Sequence, residues 1–408
     1  MTFLIITHVP HILENNQYFA YAPYVREMNI WIKKVNKVII VAPLDLEKKS
    51  AIDIHYEHTD IEFIPIESFD ILSIKESFKA IYKIPKISWT IFNAIKKAEH
   101  IHLRCPGNIG LLGCIVQILF PNKIKTAKYA SNWDVNSVQP LSYRLQRWLL
   151  NNTFLTRNMS VLVYGTWANS SKNVKSFFTA TYYEREKQPV SIRTTSQKPI
   201  RFIFVGTLTQ GKNPYYGIEI VNSINKLGIS AIIDLYGDGI LYDEIQSFII
   251  KNHLQDSVFL KGNLTKNSLI EVYKNAHFLV LQSGSFEGWP KVVAESMFWG
   301  CVPLAIPTSV VPQMLDKGSR GLLLTANFKE DIKNIIALIQ DENLYQQKAQ
   351  AAMDWSRKYG FKSRSVDLIY GLPKQTPATF KETVDAVLAM NPDRLSVYNY
   401  AHLPHIFK

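Results

Sequence analysis

The chain has 408 residues, of which 47% are hydrophobic and 20% are charged, and its formal net charge is +12. This composition excludes an intrinsically disordered protein, and a chain of this length is expected to form two domains with room for an appendage. The basic residues are scattered along the sequence and form no aromatic-interleaved patch, which argues against a nucleic-acid partner.

Charge and cysteine usage indicate the surroundings of the protein. Residues 1–190 carry 23 Lys and Arg against 15 Asp and Glu, which suggests an anionic membrane surface or a phosphate-bearing acceptor as a partner. Solvated lysines on the surface of a generally basic protein are an alternative explanation of this excess of positive charge. Cys105, Cys114 and Cys301 have no paired spacing, and no apolar run reaches about 18 residues. We therefore predict a cytoplasmic protein, either free or peripheral at the inner face of the membrane.

The first half alternates apolar runs with amphipathic stretches. The runs predicted as strands are Thr2–Thr7, Lys37–Ala42, Ile61–Ile66, His100–Cys105, Lys125–Ala130 and Ser160–Tyr164. The stretches predicted as helices are Tyr18–Lys34, Lys86–Ala98, Ile109–Phe120 and Leu141–Leu155. Apolar strands that alternate with helices predict an α/β arrangement, in which a parallel sheet is covered on both faces.

In such a sheet, ligands bind beyond the carboxyl ends of the strands. The residues that follow predicted strands are therefore candidates for binding. They are His8, Arg104, Asn108, Asn132, Trp133, Asp134 and Tyr164.

A polar segment with prolines, residues 184–199, separates the two halves. We interpret it as a linker between an N-terminal domain, residues 1–183, and a C-terminal domain, residues 200–362.

The second half repeats the alternation, and four of its predicted strands end in a glycine turn. These strands are Arg201–Val205, Ala231–Tyr236, Val258–Lys261 and His277–Gln282. The glycines that follow them are Gly206, Gly237, Gly262 and Gly284. Because the carboxyl ends of parallel strands share one rim, we expect these turns to converge where a ligand can approach the backbone closely.

The first glycine turn, residues 206–212, begins like a phosphate-binding P-loop and ends at Lys212. The next residue should carry a hydroxyl that binds magnesium, but it is Asn213. This difference excludes an NTPase of that class. Pro214 is predicted to begin the following helix.

Two carboxylates lie in the predicted turn and helix of residues 282–303, which follow the apolar strand His277–Leu281. Pro290 suits the first helical position, so Glu287 lies in the turn and Glu295 about one and a half turns into the helix. Such a pair can hold two parts of one ligand, and the positive helix end favours an anionic group. Two glutamates at this spacing, taken alone, usually lie on the solvated face of a helix. The preceding strand and the proline favour a ligand site here.

Residues 287–295, Glu-Gly-Trp-Pro-Lys-Val-Val-Ala-Glu, resemble the E-x7-E signature of family 4 retaining glycosyltransferases. The resemblance covers about residues 1–360 and implies the GT-B fold, two Rossmann-like domains whose parallel sheets face a cleft. It implies a hexosyltransferase that moves a sugar from a nucleotide-diphosphate-sugar donor to a glycan or lipid-linked acceptor, as in polysaccharide biosynthesis. It also implies retention of configuration, and neither a metal nor another cofactor.

The resemblance further implies the roles of individual residues. Glu295 is expected to hold the ribose hydroxyls, while Glu287 and Lys212 are the predicted catalytic residues, facing the donor sugar and its diphosphate. The other predicted donor-binding residues are Gly206, Gly237, Asp238, Gly239, Asn263, Gly288, Trp289, Lys291 and Val292. The predicted acceptor-side residues are His8, Arg104, Asn108, Asn132, Trp133 and Asp134. Arg104 and Cys105 depart from the family pattern His-x-His-Glu-Pro.

Residues of about 365–408 resemble a fragment of oxygen-independent coproporphyrinogen III dehydrogenase, a radical-SAM enzyme. The pattern predicts a strand at Val366–Tyr370, a helix that Thr376 caps and Pro377 begins, and a strand at Leu395–Tyr400. The C-x3-C-x2-C motif of that enzyme is missing, so no iron–sulfur cluster is expected. We predict a foreign β-α-β tail, residues 363–408, that is a non-functional fusion scar.

Two other functions stay open. A catalytically inactive protein that binds nucleotide sugars or glycans would keep the same site, and its nucleotide binding would lead to neither transfer nor hydrolysis. The tail by itself suggests coproporphyrinogen III dehydrogenase, which would require iron.

Overall fold

The computed structural model describes residues 1–46, 49–50, 53–69, 74–179, 182, 186–284, 287–325, 327–359, 365–370, 376–389 and 394–399. The chain divides into two compact units. Unit 1 comprises Met1–Phe178, Gln282–Pro290 and Ala305–Lys317. Unit 2 comprises Thr179–Leu281, Lys291–Leu304 and Gly318–Lys408. The domain boundaries inferred from the sequence stay predictions.

Unit 1 contains a mainly parallel sheet. Its strands are β1 (Thr2–Ile6), β2 (His11–Glu14), β3 (Gln17–Tyr21), β4 (Lys37–Asp45), β5 (Asp53–His55), β6 (Ile61–Ile66), β7 (His100–Cys105), β8 (Ile124–Tyr129), β9 (Met159–Tyr164) and β10 (Val174–Phe177). The strand order is β10-β9-β8-β7-β1-β4-β2-β3-β5, and β6 also pairs with β4. The pairs β10-β9, β9-β8, β8-β7, β7-β1, β1-β4 and β4-β6 are parallel. Strand β3 is antiparallel to both β2 and β5.

Helices cover both faces of this sheet. They are α1 (Ala22–Ile32), α2 (Ile74–Lys97), α3 (Asn108–Val116) and α4 (Leu141–Leu150), and the same unit contains the short α9 (Val311–Met314). One buried cluster joins Leu4 of β1 to α2, α3 and α4, and a second joins Phe3 of β1 to α1. Successive residues of β1 therefore point to opposite layers, which confirms the predicted sheet with two covered faces.

The prediction of one helix over Tyr18–Lys34 was wrong at its start. Residues Gln17–Tyr21 form β3, which pairs with β2, and α1 begins only at Ala22. Asn15 and Asn16 connect β2 and β3 with φ values of 50° and 60°. Positive φ at both central residues is the geometry of a type I′ hairpin turn, which asparagine tolerates well.

Three further helix boundaries differ from the prediction. Helix α3 ends at Val116, four residues before the predicted Phe120, and a 3-10 turn, Gln117–Leu119, follows it. Helix α2 begins at Ile74, well before the predicted Lys86, and continues through Pro85. Helix α4 ends at Leu150, and Asn152 Oδ1 then accepts hydrogen bonds from the main-chain N–H groups of Phe154 and Leu155. Asparagine side chains favour such local turns over a continuing helix.

Unit 2 contains a six-stranded sheet. Its strands are β11 (Ile200–Val205), β12 (Ala231–Tyr236), β13 (Val258–Gly262), β14 (Phe278–Leu281), β15 (Val302–Ala305) and β16 (Leu322–Leu323), in the order β13-β12-β11-β14-β15-β16. The helices are α5 (Pro214–Lys226), α6 (Tyr242–Lys251), α7 (Lys266–Asn275), α8 (Lys291–Phe298), α10 (Phe328–Gln340) and α11 (Glu342–Tyr359). Pro214 begins α5, as predicted.

The C-terminal segment has the predicted β-α-β order. It contains β17 (Ser365–Tyr370), α12 (Pro377–Ala389) and β18 (Arg394–Asn399), and β17 and β18 are parallel. The main-chain N–H of Thr379 donates to the hydroxyl of Thr376 at 3.2 Å, so Thr376 caps a helix that begins at Pro377.

The three cysteines are buried. In unit 1, the sulfurs of Cys105 and Cys114 lie 3.6 Å apart, so these residues are packed as neighbouring thiols. Cys301 lies in unit 2, just before β15.

Candidate functional site

In unit 2, three glycine turns meet at the carboxyl ends of β11, β12 and β13. The N–H of Gly206 donates to the carbonyl of Tyr236, and the N–H of Gly237 donates to that of Gly262, both at 2.9 Å. Gly237 has a φ of 143°, and a Cβ on it would lie 1.9 Å from the carbonyl oxygen of Gly206. Only glycine fits this approach, which confirms the predicted convergence for these three turns.

The second turn also holds the segment that leads to Lys212. The N–H of Leu208 donates to the carbonyl of Asp238 at 2.9 Å, and the N–H of Leu241 donates to that of Leu208 at 3.1 Å. The Asp238 carboxylate accepts from the N–H of Gly239 at 2.7 Å and lies at the exposed side of the turn. Asn263 is likewise exposed, directly after β13.

Lys212 lies at the start of α5. It ends a short 3-10 turn, Gln210–Lys212, and Asn213 then adopts a left-handed backbone with φ 40° and ψ 65°. Helix α5 begins at the next residue, Pro214. The half-buried Lys212 is therefore fixed at a bend between a glycine turn and a helix N-terminus.

Glu295 lies inside α8 and has a defined partner. The helix begins at Lys291, one residue after the predicted Pro290. The hydroxyl of Tyr273, on α7, donates to Glu295 Oε2 at 3.0 Å. Burial and the charge of Glu295 raise the pKa of Tyr273 well above its usual range, so this phenol remains a hydrogen-bond donor. The same two causes raise the pKa of Tyr182, which identifies it as another neighbour of the carboxylate.

In unit 1, Glu287 lies in the turn before α8 and is held locally. The hydroxyl of Ser283 donates to Glu287 Oε2 at 2.9 Å, and the N–H of Glu287 donates to the carbonyl of Gly284 at 3.3 Å. These two bonds fold the turn back on itself and orient the carboxylate. The intervening Ser285 and Phe286 lie outside the described residues.

The two residues after Glu287 pack within unit 1. A Cβ on Gly288 would lie 2.8 Å from the Cα of Ser131, which follows β8, and the Ser309 hydroxyl donates to the Gly288 carbonyl at 3.0 Å. The Trp289 ring lies 5.8 Å from that of Tyr164. Its Nε1 is buried without a hydrogen-bond partner among the described residues. A buried indole N–H of this kind is available to a ligand acceptor.

Three predicted acceptor-side residues lie around the ends of the neighbouring strands β1 and β7. A Cβ on Gly107 would lie 2.7 Å from His8 Nδ1, so the His8 ring covers the turn after β7. Desolvation and the charge of Arg104 lower the pKa of His8. Among the described residues, the buried Nη1 of Arg104 has no hydrogen-bond partner. Asn108 begins α3 and donates to the carbonyl of Phe69 at 3.1 Å.

The other three acceptor-side candidates shape the loop after β8. Trp133 is 3% exposed and packs edge-on against Tyr129, with ring centroids 4.9 Å apart, so its ring belongs to the core. Asn132 Oδ1 accepts from the N–H of Asp134 at 3.0 Å, and Asp134 Oδ1 accepts from the N–H of Asn136 at 2.9 Å. Their roles toward an acceptor stay predictions.

Sequence reasoning missed the residues that hold the two carboxylates. Ser283 lies four positions before Glu287, a spacing at which a hydroxyl can reach back, and this pattern was available in the sequence. Tyr273 lies on a separate helix, and no local pattern links it to Glu295.

The described part of the chain contains neither a cluster of metal-binding side chains nor a helix suited to a membrane. There, no three His, Cys, Asp or Glu side chains are grouped so that they could hold a metal ion. None of the helices described there combines the length and apolar character needed to cross a bilayer.

The two sheets and their helices define the GT-B fold, the fold class that the sequence predicted. Sucrose-phosphate synthase from Thermosynechococcus elongatus has a TM-score of 0.60 and 16% identity, with 96% of this chain and 99% of that chain covered. Anabaena HepE in complex with UDP also has a TM-score of 0.60, with 12% identity over 95% of this chain and 99% of that chain.

Family comparison agrees with the fold and locates the similarity in the C-terminal half. Residues 185–355 match the family model described as glycosyl transferases group 1. The predicted resemblance to glycosyltransferases is thus confirmed, and these residues include both Lys212 and the pair Glu287 and Glu295.

A second likeness is to a different enzyme. Oxygen-independent coproporphyrinogen III oxidase of Escherichia coli is 41% identical over 106 residues, which is 26% of this chain and 22% of that enzyme. The chain thus spans about a fifth of the length of the curated relatives it matches. The predicted resemblance to this enzyme is confirmed, and the matched stretch is longer than the predicted tail, residues 365–408.

Proposed function

We propose that this protein is a family 4 glycosyltransferase that transfers a sugar from a nucleotide-diphosphate-sugar to a glycan or lipid-linked acceptor, with retention of configuration. One observation carries the proposal. Within residues 185–355, the stretch that matches group 1 glycosyl transferases, converging glycine turns accompany a strand–turn–helix that carries Glu287 and Glu295.

Glu295 binds the ribose of the donor in this proposal. Its Oε2 accepts from Tyr273, which fixes the carboxylate on α8 and leaves its acceptor capacity for the two sugar hydroxyls. A hydroxyl that donates to a carboxylate makes a charge-assisted bond, worth about 1.5–3 kcal/mol. The glycine turns at the ends of β11, β12 and β13 let the base and the first phosphate approach the main chain.

The diphosphate is the leaving group, and its negative charge grows as the sugar departs. Lys212 and the main-chain N–H groups of Lys291 and Val292, at the start of α8, stabilise that charge. Pro290 supplies no N–H there, so Lys212 carries a larger share. The transfer proceeds without a metal ion.

Glu287 orients the donor sugar, and Ser283 holds its carboxylate. The acceptor is bound by residues of unit 1, of which His8, Arg104 and Asn108 lie around the ends of β1 and β7. Anabaena HepE was solved in complex with UDP, which supports a nucleotide diphosphate as the donor core.

Titration calorimetry with nucleoside diphosphates tests the donor site. Glu295→Gln keeps the shape and an oxygen for Tyr273, but loses the charge, and should weaken donor binding about tenfold to a hundredfold. Tyr273→Phe keeps the charge of Glu295 but removes the hydrogen bond that holds its carboxylate. We therefore expect a smaller loss of donor affinity. The control is Glu330→Gln, at an exposed carboxylate in the first turn of α10.

Unchanged affinity in Glu295→Gln would refute the assignment. Incubation with nucleotide sugars and acceptors then separates the two remaining functions. Transfer with an unchanged anomeric configuration, observed by NMR of the product, supports the enzyme. Nucleotide binding with neither transfer nor hydrolysis would instead identify a binding protein.

A further inference from the structure

The positive charge of the chain is concentrated in one stretch of unit 1. Residues 74–157 contain thirteen Lys and Arg against three Asp and Glu, which accounts for +10 of the net charge of +12. The excess arises mainly because acidic residues are scarce in this stretch. Lys125 and Lys128 of this stretch are buried in β8, whereas Lys86, Lys96 and Lys97 on α2 and Arg144 on α4 are exposed.

Helix α2 exposes aromatic rings beside a lysine. Tyr82 and Trp89 are 86% and 66% exposed, and the Lys86 side chain between them is 80% exposed. Positions 82, 86 and 89 share one side of a helix. The ammonium of Lys86 lies 3.8 Å from a Glu67 oxygen, an exposed and therefore weak ion pair.

Helix α4 repeats this pattern with larger apolar area. Leu141, Leu145 and Trp148 are 78%, 43% and 57% exposed, at positions that form one stripe along the helix. Arg144 is exposed within the same stretch. Exposed large apolar residues are ordinary when single, but an aligned set with a cation marks an interaction surface.

The two stripes belong to the same outer layer. The buried sides of α2 and α4 pack on one core cluster, through Ile91 and Leu149, and α3 contacts both helices. Side-by-side helices are spaced about 8–10 Å, so the stripes lie roughly 20 Å apart. We call the exposed residues Tyr82, Lys86, Trp89, Leu141, Arg144, Leu145 and Trp148 the α2–α4 face.

We propose that the α2–α4 face binds the surface of a bilayer that contains anionic phospholipids. Tryptophan and tyrosine rings occupy the lipid headgroup region, leucines insert just below them, and lysine and arginine pair with lipid phosphates. Nucleic acid fits less well, because the exposed Leu141 and Leu145 of α4 have no role against a phosphate backbone. This inference concerns unit 1 and does not depend on sugar transfer.

Vesicle co-sedimentation tests the proposal with the full chain. We expect binding to mixed phosphatidylcholine and phosphatidylglycerol vesicles that weakens as salt rises, and far weaker binding to phosphatidylcholine alone. Near an anionic surface each basic residue contributes about 1 kcal/mol, so Lys86→Gln with Arg144→Gln should weaken binding roughly thirtyfold. The matched control, Lys226→Gln with Lys251→Gln, neutralises two exposed lysines of unit 2 and should change binding by less than about threefold.

A second variant probes the apolar part. Trp89→Ser with Trp148→Ser should weaken binding about tenfold or more, and its melting temperature should match the parent because both rings are exposed. Absence of binding to anionic vesicles overturns the proposal, as does an equal loss in the control. Tighter binding to single-stranded nucleic acid than to vesicles also overturns it. If only self-association, followed by analytical ultracentrifugation, responds to the tryptophan variant, the face joins two copies of the chain.

Discussion

His277 should make the stability of unit 2 depend on pH. The ring is fully buried, and both of its nitrogens are hydrogen-bonded. The main-chain N–H of Arg201 donates to Nδ1 at 3.0 Å, and Nε2 lies 3.0 Å from the carbonyl oxygen of Thr194, to which it donates. This geometry requires a neutral ring with its proton on Nε2. Burial lowers the pKa of His277 from 6.5 to about 4.

The sign and size of the effect follow from these two values. In the unfolded chain the ring takes up a proton near pH 6.5, whereas the folded ring does so only near pH 4. The neutral ring thus contributes stability that is complete above pH 6.5 and is lost as the pH falls toward 4. The whole effect is about 3 kcal/mol, and about 2 kcal/mol is already lost at pH 5.

Urea unfolding of the parent and His277→Gln at pH 7 and pH 5 measures this contribution. The variant is less stable at pH 7, but its deficit should shrink by about 2 kcal/mol at pH 5, because glutamine does not titrate. The other buried histidines, such as His11 and His102, affect both proteins equally and cancel in the difference. A deficit that is the same at both pH values would refute the assignment of a neutral ring. NMR of the ring nitrogens should show the Nε2–H form at pH 5.

Three further predictions concern the donor site and the tail. Lys212→Ala should lower turnover strongly and weaken binding of a nucleoside diphosphate more than that of the nucleoside; equal losses would show a structural role. Gly237→Ala should lower the free energy of unfolding by about 2–4 kcal/mol, since its Cβ meets a main-chain oxygen at 1.9 Å, whereas Gly211→Ala, with nothing within 4 Å, should be near neutral. Limited proteolysis should remove residues 365–408 first and leave a core of about residues 1–362 that binds nucleotide. A tail that resists protease as long as the core, and whose removal abolishes binding, would contradict the interpretation as a scar.

The elements of the parallel sheet could be predicted well. The strands Ile61–Ile66 and His100–Cys105 begin and end where predicted, because each is a short apolar run between polar residues. The hairpin of β2 and β3 was missed, because the apolar residues of Gln17–Tyr21 continue into α1 at a spacing that also suits a helix. The left-handed turn at Asn15 makes this segment a hairpin, and the spacing of apolar residues alone does not indicate such a turn.

The candidate site was predictable where the chemistry is local. The positions of Glu287 and Glu295 around a turn follow from one stretch of sequence. The partner of Glu295 does not, because Tyr273 reaches it only through the packing of α7 beside α8. Trp133 follows a strand and was a binding candidate for that reason, yet its ring fills the core beside Tyr129. A residue that follows a strand has its backbone at the carboxyl end of that strand, but the direction of its side chain is not determined by this position.

The buried cysteines allow the unfolding of each unit to be followed separately. Cys105 and Cys114 lie in unit 1 and Cys301 in unit 2, and the side chains of all three are shielded from solvent. A thiol reagent can modify them only when the surrounding structure opens, so the modification rate at each cysteine measures the opening free energy around it. Mass spectrometry of the modified peptides would then rank the two units by stability in the unaltered protein. A nucleotide that binds unit 2 should slow modification of Cys301 and leave the pair in unit 1 unchanged.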